Sequence, residues 1–293
     1  MKMHDGQIDI DADLVGQLVA AQFPGLGALP VRAVPSTGTV NAIYRLGDDL
    51  YARLPRLPRW ARDLEKECYW LPKLAPRLSL RVPDPVAQGR PADRYPFSWA
   101  IYRWIPGQPY ADELVQDERQ AAGDLARFVT ELRQIPAAGA PRTGRRPLRE
   151  LYDGTWAAIE SAGDVIDRHA ALAAWEHALT APAWDGTPVW IHADLLRPNL
   201  LVADGRLSAV IDFGGAGAGD PAADVIAAWS VFGPAGREAF RAALDVDDGT
   251  WNRARGYALH QAALIIPYYA QTNPGFVALA KRTVEQVLAD VSA

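Results

Sequence analysis

WIHADLLRPNLLVADGRLSAVIDFGGAGAGDPAAD, residues 190–224, is the stretch from which the rest of the chain is read. It sets His192, Asp194, Asn199 and Asp212 in order on one short piece of backbone. Pro198, between Asp194 and Asn199, lacks a backbone donor, so this segment is a loop and not a helix. Two apolar runs, NLLVA (199–203) and RLSAVI (206–211), then flank Asp204-Gly205. That dipeptide is a hairpin signal, because both residues tolerate positive backbone φ. Closing the hairpin is expected to bring Asn199, entering the first strand, and Asp212, leaving the second, together beside Asp194. Two oxygen ligands suit a hard cation such as magnesium, with one carboxylate left over as a base.

The spacing H-x-D-x-x-x-x-N, a short hairpin and then Asp212-Phe213-Gly214 resembles the aminoglycoside phosphotransferase family, small-molecule relatives of the protein kinases. The resemblance implies a two-lobed, protein-kinase-like α+β fold. A small N-terminal lobe with an antiparallel sheet and one helix, residues 1–104, would bind nucleotide. A larger helical C-terminal lobe, residues 105–293, would carry the catalytic loop and the acceptor. It also implies ATP or GTP as donor, Mg2+ held by Asn199 and Asp212, Asp194 as the base, and His192 fixing the loop by hydrogen bonding. A structural hairpin whose acids merely cap turns is the bland alternative. A protein kinase is disfavoured: Leu196 stands where such enzymes place a lysine. Only about six residues separate Asp-Phe-Gly from the next helix, too few for a peptide-docking segment.

Composition narrows the classes further. Of 293 residues, 49% are hydrophobic, which is enough for a substantial core. No apolar run reaches the ~18 residues a membrane span needs. The start, MKMHDGQIDIDAD, is acidic and polar where a signal peptide is basic and then apolar. One cysteine, Cys68, permits no internal disulfide and fits a reducing cytoplasm; on an apolar helical face it reads as a buried filler. A net charge of −5 argues against nucleic-acid binding. Neither a membrane nor a protein partner is implied. Residues 1–104 hold 14 Lys or Arg against 11 acids, net +3, and residues 105–293 hold 16 against 24, net −8. That asymmetry suits a polyanionic nucleotide on one side and a cationic small-molecule acceptor on the other.

In chain order, IDIDADLVGQLVAA (8–21) reads as a helix with acids at its start and Leu14, Val15, Leu18 and Val19 on one face. Strands VRAV (31–34), VNAIYRL (40–46) and LYARL (50–54) follow. Between the first two, Ser36, Thr37, Gly38 and Thr39 can lay backbone N–H groups and hydroxyls over phosphates. The strand that in kinases carries a lysine has Arg53 instead; the four lysines, Lys2, Lys66, Lys73 and Lys281, lie elsewhere. Guanidinium also grips phosphate. The next helix offers Glu65 and Glu67 as its partner, and the E-x-x-x-L pattern of the resembling family selects Glu67 with Leu71. The family's adenine-binding junction maps to residues 102–104, hence Tyr102 and Trp104.

Helical patterns are expected over 112–135, 148–162, 167–180, 234–244, 250–272 and 274–291, with PRTGRRP (141–147) as a solvated linker. Asp220-Pro221 reads as a helix start opening DVIAAWSVF, and Asp224 as a brace for the catalytic loop. Tyr257, Gln261, Leu264 and Tyr268 share a helical face, mostly core; any that line a pocket would suit a macrolide or nucleoside antibiotic. Asp153, Glu160, Asp164 and Asp167 are loose candidates to meet acceptor amines. The expected activity is O-phosphorylation of an aminoglycoside or related antibiotic. A housekeeping kinase of the choline, homoserine or sugar class and an inactive nucleotide-binding regulator, favoured only by Arg53, remain as rivals.

Overall fold

Asp11 starts the first helix: its carboxylate accepts from Leu14 N at 2.7 Å, and α1 (Ala12–Gln22) buries Leu14, Val15, Leu18 and Val19. The computed structural model describes residues 8–34 and 40–291. They fall into two compact units. One comprises Met1–Pro76, Arg81–Pro106 and Val210–Gly214; the other comprises Arg77–Leu80, Gly107–Ala209 and Gly215–Ala293.

The first unit is built on β1 (Val31–Ala33), β2 (Asn41–Leu46), β3 (Leu50–Pro55), β4 (Pro85–Gly89) and β5 (Trp99–Arg103), with α2 (Pro58–Leu74) against β3, β5 and β4. The order is β1-β2-β3-β5-β4, and all four neighbouring pairs are antiparallel. Gly47, at φ 60°, makes the turn that pairs Leu46 with Leu50. Strand alternation sends Ala52 and Leu54 into an apolar cluster with α1, Tyr44 and Trp99, and leaves Arg53 on the opposite face, also buried.

The second unit is mainly helical: α3 (Glu118–Gln134), α4 (Tyr152–Ser161), α5 (Arg168–Ala178), α6 (Ala222–Val225), α7 (Ala227–Ser230), α8 (Pro234–Leu244), α9 (Asp248–Tyr269) and α10 (Pro274–Val291). Asp117, Asp167 and Asp247 cap α3, α5 and α9 with their carboxylates, each satisfying amide donors that a helix start leaves over. Helix α9 packs on α10, α6, α4 and α5 and buries residues all round its first four turns. The expected helix over 112–135 begins later than its apolar pattern suggested, because Asp112–Leu114 is a separate single turn. The helix expected after Pro221 divides into α6 and α7 at Ile226.

Two small sheets complete this unit. One orders β6 (Gln108–Pro109), β8 (Leu200–Ala203) and β9 (Arg206–Val210); the other pairs β7 (Val189–Ile191) with β10 (Gly217–Gly219). Asp204 at φ 52° and Gly205 at φ 77° form the turn between β8 and β9, the double left-handed conformation that an Asp-Gly hairpin requires. Among the described residues no helix is long and apolar enough to cross a membrane.

His260 of α9 is buried against Thr155, with its Nδ1 2.7 Å from Oγ1, and stacks on Trp175. Burial, with Arg145 and Arg146 adding to it, pushes its pKa down from 6.5 to about 4. The neutral form is therefore the folded form. Its contribution to stability is complete above the unfolded value and is lost as pH falls from there towards the folded value, by on the order of 3 kcal/mol in all. Urea midpoints across that window should show wild type losing stability relative to His260→Gln. Parallel curves for the two proteins would contradict this.

Candidate functional site

The loop between β7 and β8 is held from beneath by the segment that carries α6 and α7. Asp224 is fully buried, and its two carboxylate oxygens accept from His192 N at 2.9 Å and Ala193 N at 2.8 Å. Burial pushes its carboxyl up, an effect that His192 and the two backbone donors oppose. Those donors secure an unusual turn, since Ala193 sits at φ 70°, a region costly for a residue with a side chain. Ser230 Oγ donates to Leu195 O at 2.8 Å. Arg197 is buried, donates to Val231 O from Nε and Nη2 at 2.9 and 2.7 Å, and pairs with Asp112 at 2.5 Å. Asp224 is thus the brace that the sequence implied. Ser230 and Arg197 carried no signal of their own, because their roles need the fold to bring residues over thirty positions away against the loop.

The braced loop presents Asp194. Asn199 Nδ2 donates to Asp194 Oδ2 and to its backbone oxygen, both at 2.9 Å, and Gln261 Nε2 donates to Oδ1 at 3.0 Å. His192 is fully buried, and its Nδ1 accepts from Asp194 N at 3.3 Å, the loop-fixing part expected of it. The carboxylate therefore has an amide donor on each oxygen, one supplied by its own loop and one by α9.

In the first unit, Arg53 joins two carboxylates. Its Nη1 donates to both oxygens of Glu67 at 2.9 and 2.7 Å, and its Nη2 meets Asp212 Oδ1 at 2.5 Å. Asn41, with its amide oxygen facing the guanidinium as the hydrogen-bond network requires, accepts from Nε at 2.8 Å and Nη2 at 2.9 Å. The five N–H bonds of a guanidinium are thus all matched by protein acceptors. Burial works against the charge on Arg53, but Glu67 and Asp212 together hold it protonated. Glu65 is exposed and bonds Ser98 instead, so Glu67 is the partner, as the E-x-x-x-L pattern indicated. Asp212 itself is at φ 66°, in the left-handed region like Ala193.

The remaining nucleotide candidates fare differently. Ser36, Thr37, Gly38 and Thr39 lie outside the described residues. Tyr102 is fully buried in β5, stacked on Tyr51 with centroids 5.2 Å apart, its hydroxyl 3.5 Å from Cys68 Sγ. Trp104 N donates to Asp49 O at 2.7 Å and Arg103 N to Asp84 O at 3.0 Å. Those two N–H groups are committed to neighbouring backbone oxygens and offer nothing to a ligand.

A magnesium ion fits this donor chemistry. Asn199 gives its amide nitrogen to Asp194 and keeps an amide oxygen, a hard ligand; Asp212 has a carboxylate. Among the described residues there is no cluster of three or more His, Cys, Asp or Glu side chains suited to a metal. Each of Asn199 and Asp212 by itself offers the kind of hard oxygen that magnesium prefers.

A model of the phosphotransferase enzyme family matches residues 32–259. The viomycin phosphotransferase of Streptomyces vinaceus is 26% identical over 174 residues, 53% of this chain and 58% of that protein; the chain thus spans little more than half the length of this curated relative. The solved GDP complex of an aminoglycoside 2′-phosphotransferase superposes with a TM-score of 0.75, at 21% identity, over 96% of this chain and 100% of that one. A macrolide 2′-phosphotransferase from Brachybacterium faecium gives 0.60, at 22% identity, over 94% and 97%. At this identity the likenesses show a shared, kinase-like fold.

Asp224→Asn keeps the volume but turns one acceptor into a donor that faces a backbone N–H. Leaving that buried group unpaired should cost about 1–3 kcal/mol. An unchanged urea midpoint would show that the brace carries no load.

Proposed function

The chain belongs to the phosphotransferase enzyme family, and we propose that it transfers a phosphoryl group from ATP or GTP to a hydroxyl of an aminoglycoside or related antibiotic. The observation that carries this reading is the carboxylate of Asp194, oriented by one amide on each oxygen at the crest of a braced loop. A base so placed can align an acceptor hydroxyl and take its proton as attack proceeds. Each carboxylate oxygen accepts two hydrogen bonds, so the amides are compatible with a hydroxyl donor. Asn199 and Asp212 would hold Mg2+, whose charge, when bound, offsets that of the phosphates. Arg53, steadied by Glu67 and Asn41, would serve the phosphates by exchanging its bond to Asp212 for one to an oxygen of the nucleotide. Ser36, Thr37, Gly38 and Thr39 would cover those phosphates, and Tyr102 and Trp104 would bound the purine. His192 would stay a loop anchor.

The net charge of −8 over residues 105–293 supports a cationic acceptor. Of the acids considered for that task, Asp167 caps α5 and Glu160 and Asp164 pair with Arg168, while Asp153 is exposed in the first turn of α4. The attraction would then come from the field of the whole region. A macrolide-class acceptor is the second reading. It is favoured by the exposure of Leu264 and Tyr268 along α9. The negative net charge supports action without nucleic acid, and a cytoplasmic setting supplies both nucleotide and a reduced Cys68.

Transfer of labelled γ-phosphate from ATP and from GTP to kanamycin, gentamicin, streptomycin, viomycin and a macrolide tests the reading. At least one labelled product is expected. If the acceptor is a polycation, its KM should rise between low and physiological salt. Transfer to none of them would overturn the antibiotic assignment. Asp212→Ala should separately abolish the gain in nucleotide affinity that magnesium brings, by at least the ~10–100-fold that even outer-shell partners of a metal ligand contribute. An identical metal-dependent gain in variant and wild type would remove Asp212 from the ligand set.

A further inference from the structure

The stretch PRTGRRP was expected to be a solvated linker, and the second unit uses it otherwise. Pro141 O accepts from Ala218 N at 2.7 Å, Thr143 N donates to Ala218 O at 3.1 Å, and Thr143 Oγ1 donates to Gly215 O at 2.7 Å. The segment therefore lies along β10 as an added strand edge. Gly217 and Gly219 make this approach possible: a Cβ on either would stand 2.3 Å from Pro141 O or 2.5 Å from Thr143 O. The chain then turns at Gly144, φ 109°, and sends Arg145 inward.

Arg145 Nη2 donates to Gln261 Oε1 at 2.7 Å, and Gln261 Nε2 donates onward to Asp194 Oδ1 at 3.0 Å. Among the described residues no carboxylate is within ion-pair range of Arg145, and its buried Nε has no hydrogen-bond partner. The Tyr257 ring centroid lies 6.0 Å from its guanidinium carbon. Burial lowers the pKa of Arg145, and the first charge opposing that is Asp194. A guanidinium withdrawn from water without a direct counter-ion costs stability. Here its counter-charge is reached through one amide, and that amide is the one gripping the proposed base. A primary amide whose oxygen is fixed by a cation has its N–H direction fixed as well, and it is a stronger donor for being polarised.

On the reading of Asp194 as the base, we infer that Arg145 and Gln261 are positioning residues: Arg145 orients Gln261, and Gln261 sets the plane of the Asp194 carboxylate from the side opposite Asn199. Neither was singled out for this by the sequence. Arg145 lies in a turn-rich basic run, and Gln261 lies on a helix face otherwise occupied by Tyr257, Leu264 and Tyr268.

Crystal structures of full-length wild type, Arg145→Met and Gln261→Leu test the geometry without any acceptor. In Arg145→Met the Gln261 amide should turn off Asp194, and in Gln261→Leu the Asp194 carboxylate should rotate about its Cβ–Cγ bond while Asn199 stays in place. An unmoved Gln261 or an unmoved carboxylate would overturn the inference, whatever the protein phosphorylates. Kinetics on the fastest panel acceptor supply the second readout. Gln261→Leu should lower kcat by about tenfold or more while the nucleotide KM stays within about twofold, the pattern of an interaction needed for the chemical step and not for binding. Arg145→Lys, which keeps the charge and a donor for Gln261, should recover most of what Arg145→Met loses. Arg145→Met should cost nothing further in a Gln261→Leu background, because residues acting through one another are not additive. Losses that multiply in the double variant would mark two independent structural residues and contradict the inference.

Discussion

One buried carboxylate sets the chemistry of the second unit. Asp224 places an oxygen on each of two successive backbone N–H groups, those of His192 and Ala193. Ala193 is thereby kept in a left-handed conformation, at φ 70°, that would otherwise cost roughly 1–2 kcal/mol. That strained residue immediately precedes Asp194, so its conformation sets the direction in which Asp194 projects from the loop. Everything else beneath the loop repeats the pattern of a side chain from 222–231, or a backbone oxygen there, meeting the loop from below. Ser230 takes Leu195 O, and Val231 O takes Arg197. Strain located beside a reacting group and offset by nearby hydrogen bonds is the usual signature of a pre-organised site.

The first unit solves a different problem with an arginine. A lysine has a compact charge and few geometric demands; a guanidinium has five donors in a fixed plane and must be matched on all sides when buried. Glu67, Asp212 and Asn41 provide that match. The consequence is functional as well as structural. All five donors of Arg53 are taken within the first unit, so on the proposed reading it would reach phosphate by exchanging its Nη2 bond to Asp212 Oδ1, while the Asp212 carboxylate would offer an oxygen to magnesium.

Much of this was legible in the sequence where the signal is local. The Asp204-Gly205 turn and the apolar face of α1 follow from turn chemistry and period-3.6 spacing, whereas the choice of Glu67 over Glu65 rests on the E-x-x-x-L pattern of the resembling family. Asp224 was legible as a brace because Asp220-Pro221 reads as a helix start and so places it on the helix that follows the loop. The contacts made over long sequence separation were not legible. Arg145 reaches Gln261 across 116 positions, and a basic, glycine-containing run looks solvated until β10 is found beside it. The commitment of Trp104 N to Asp49 likewise depends on the register between neighbouring strands, and composition says nothing of register. The division of the helix after Pro221 into α6 and α7 has no evident cause in its residues.

The central claim is that Asp194 is the base and that the loop around it exists to aim it. Turnover and nucleotide affinity of Asp194→Ala, measured side by side in full-length protein of unchanged melting temperature, address this most directly. The account predicts a fall in kcat of roughly 10²–10⁴-fold, the usual contribution of a general base, with nucleotide affinity close to that of wild type. A variant that turns over at near the wild-type rate would contradict it.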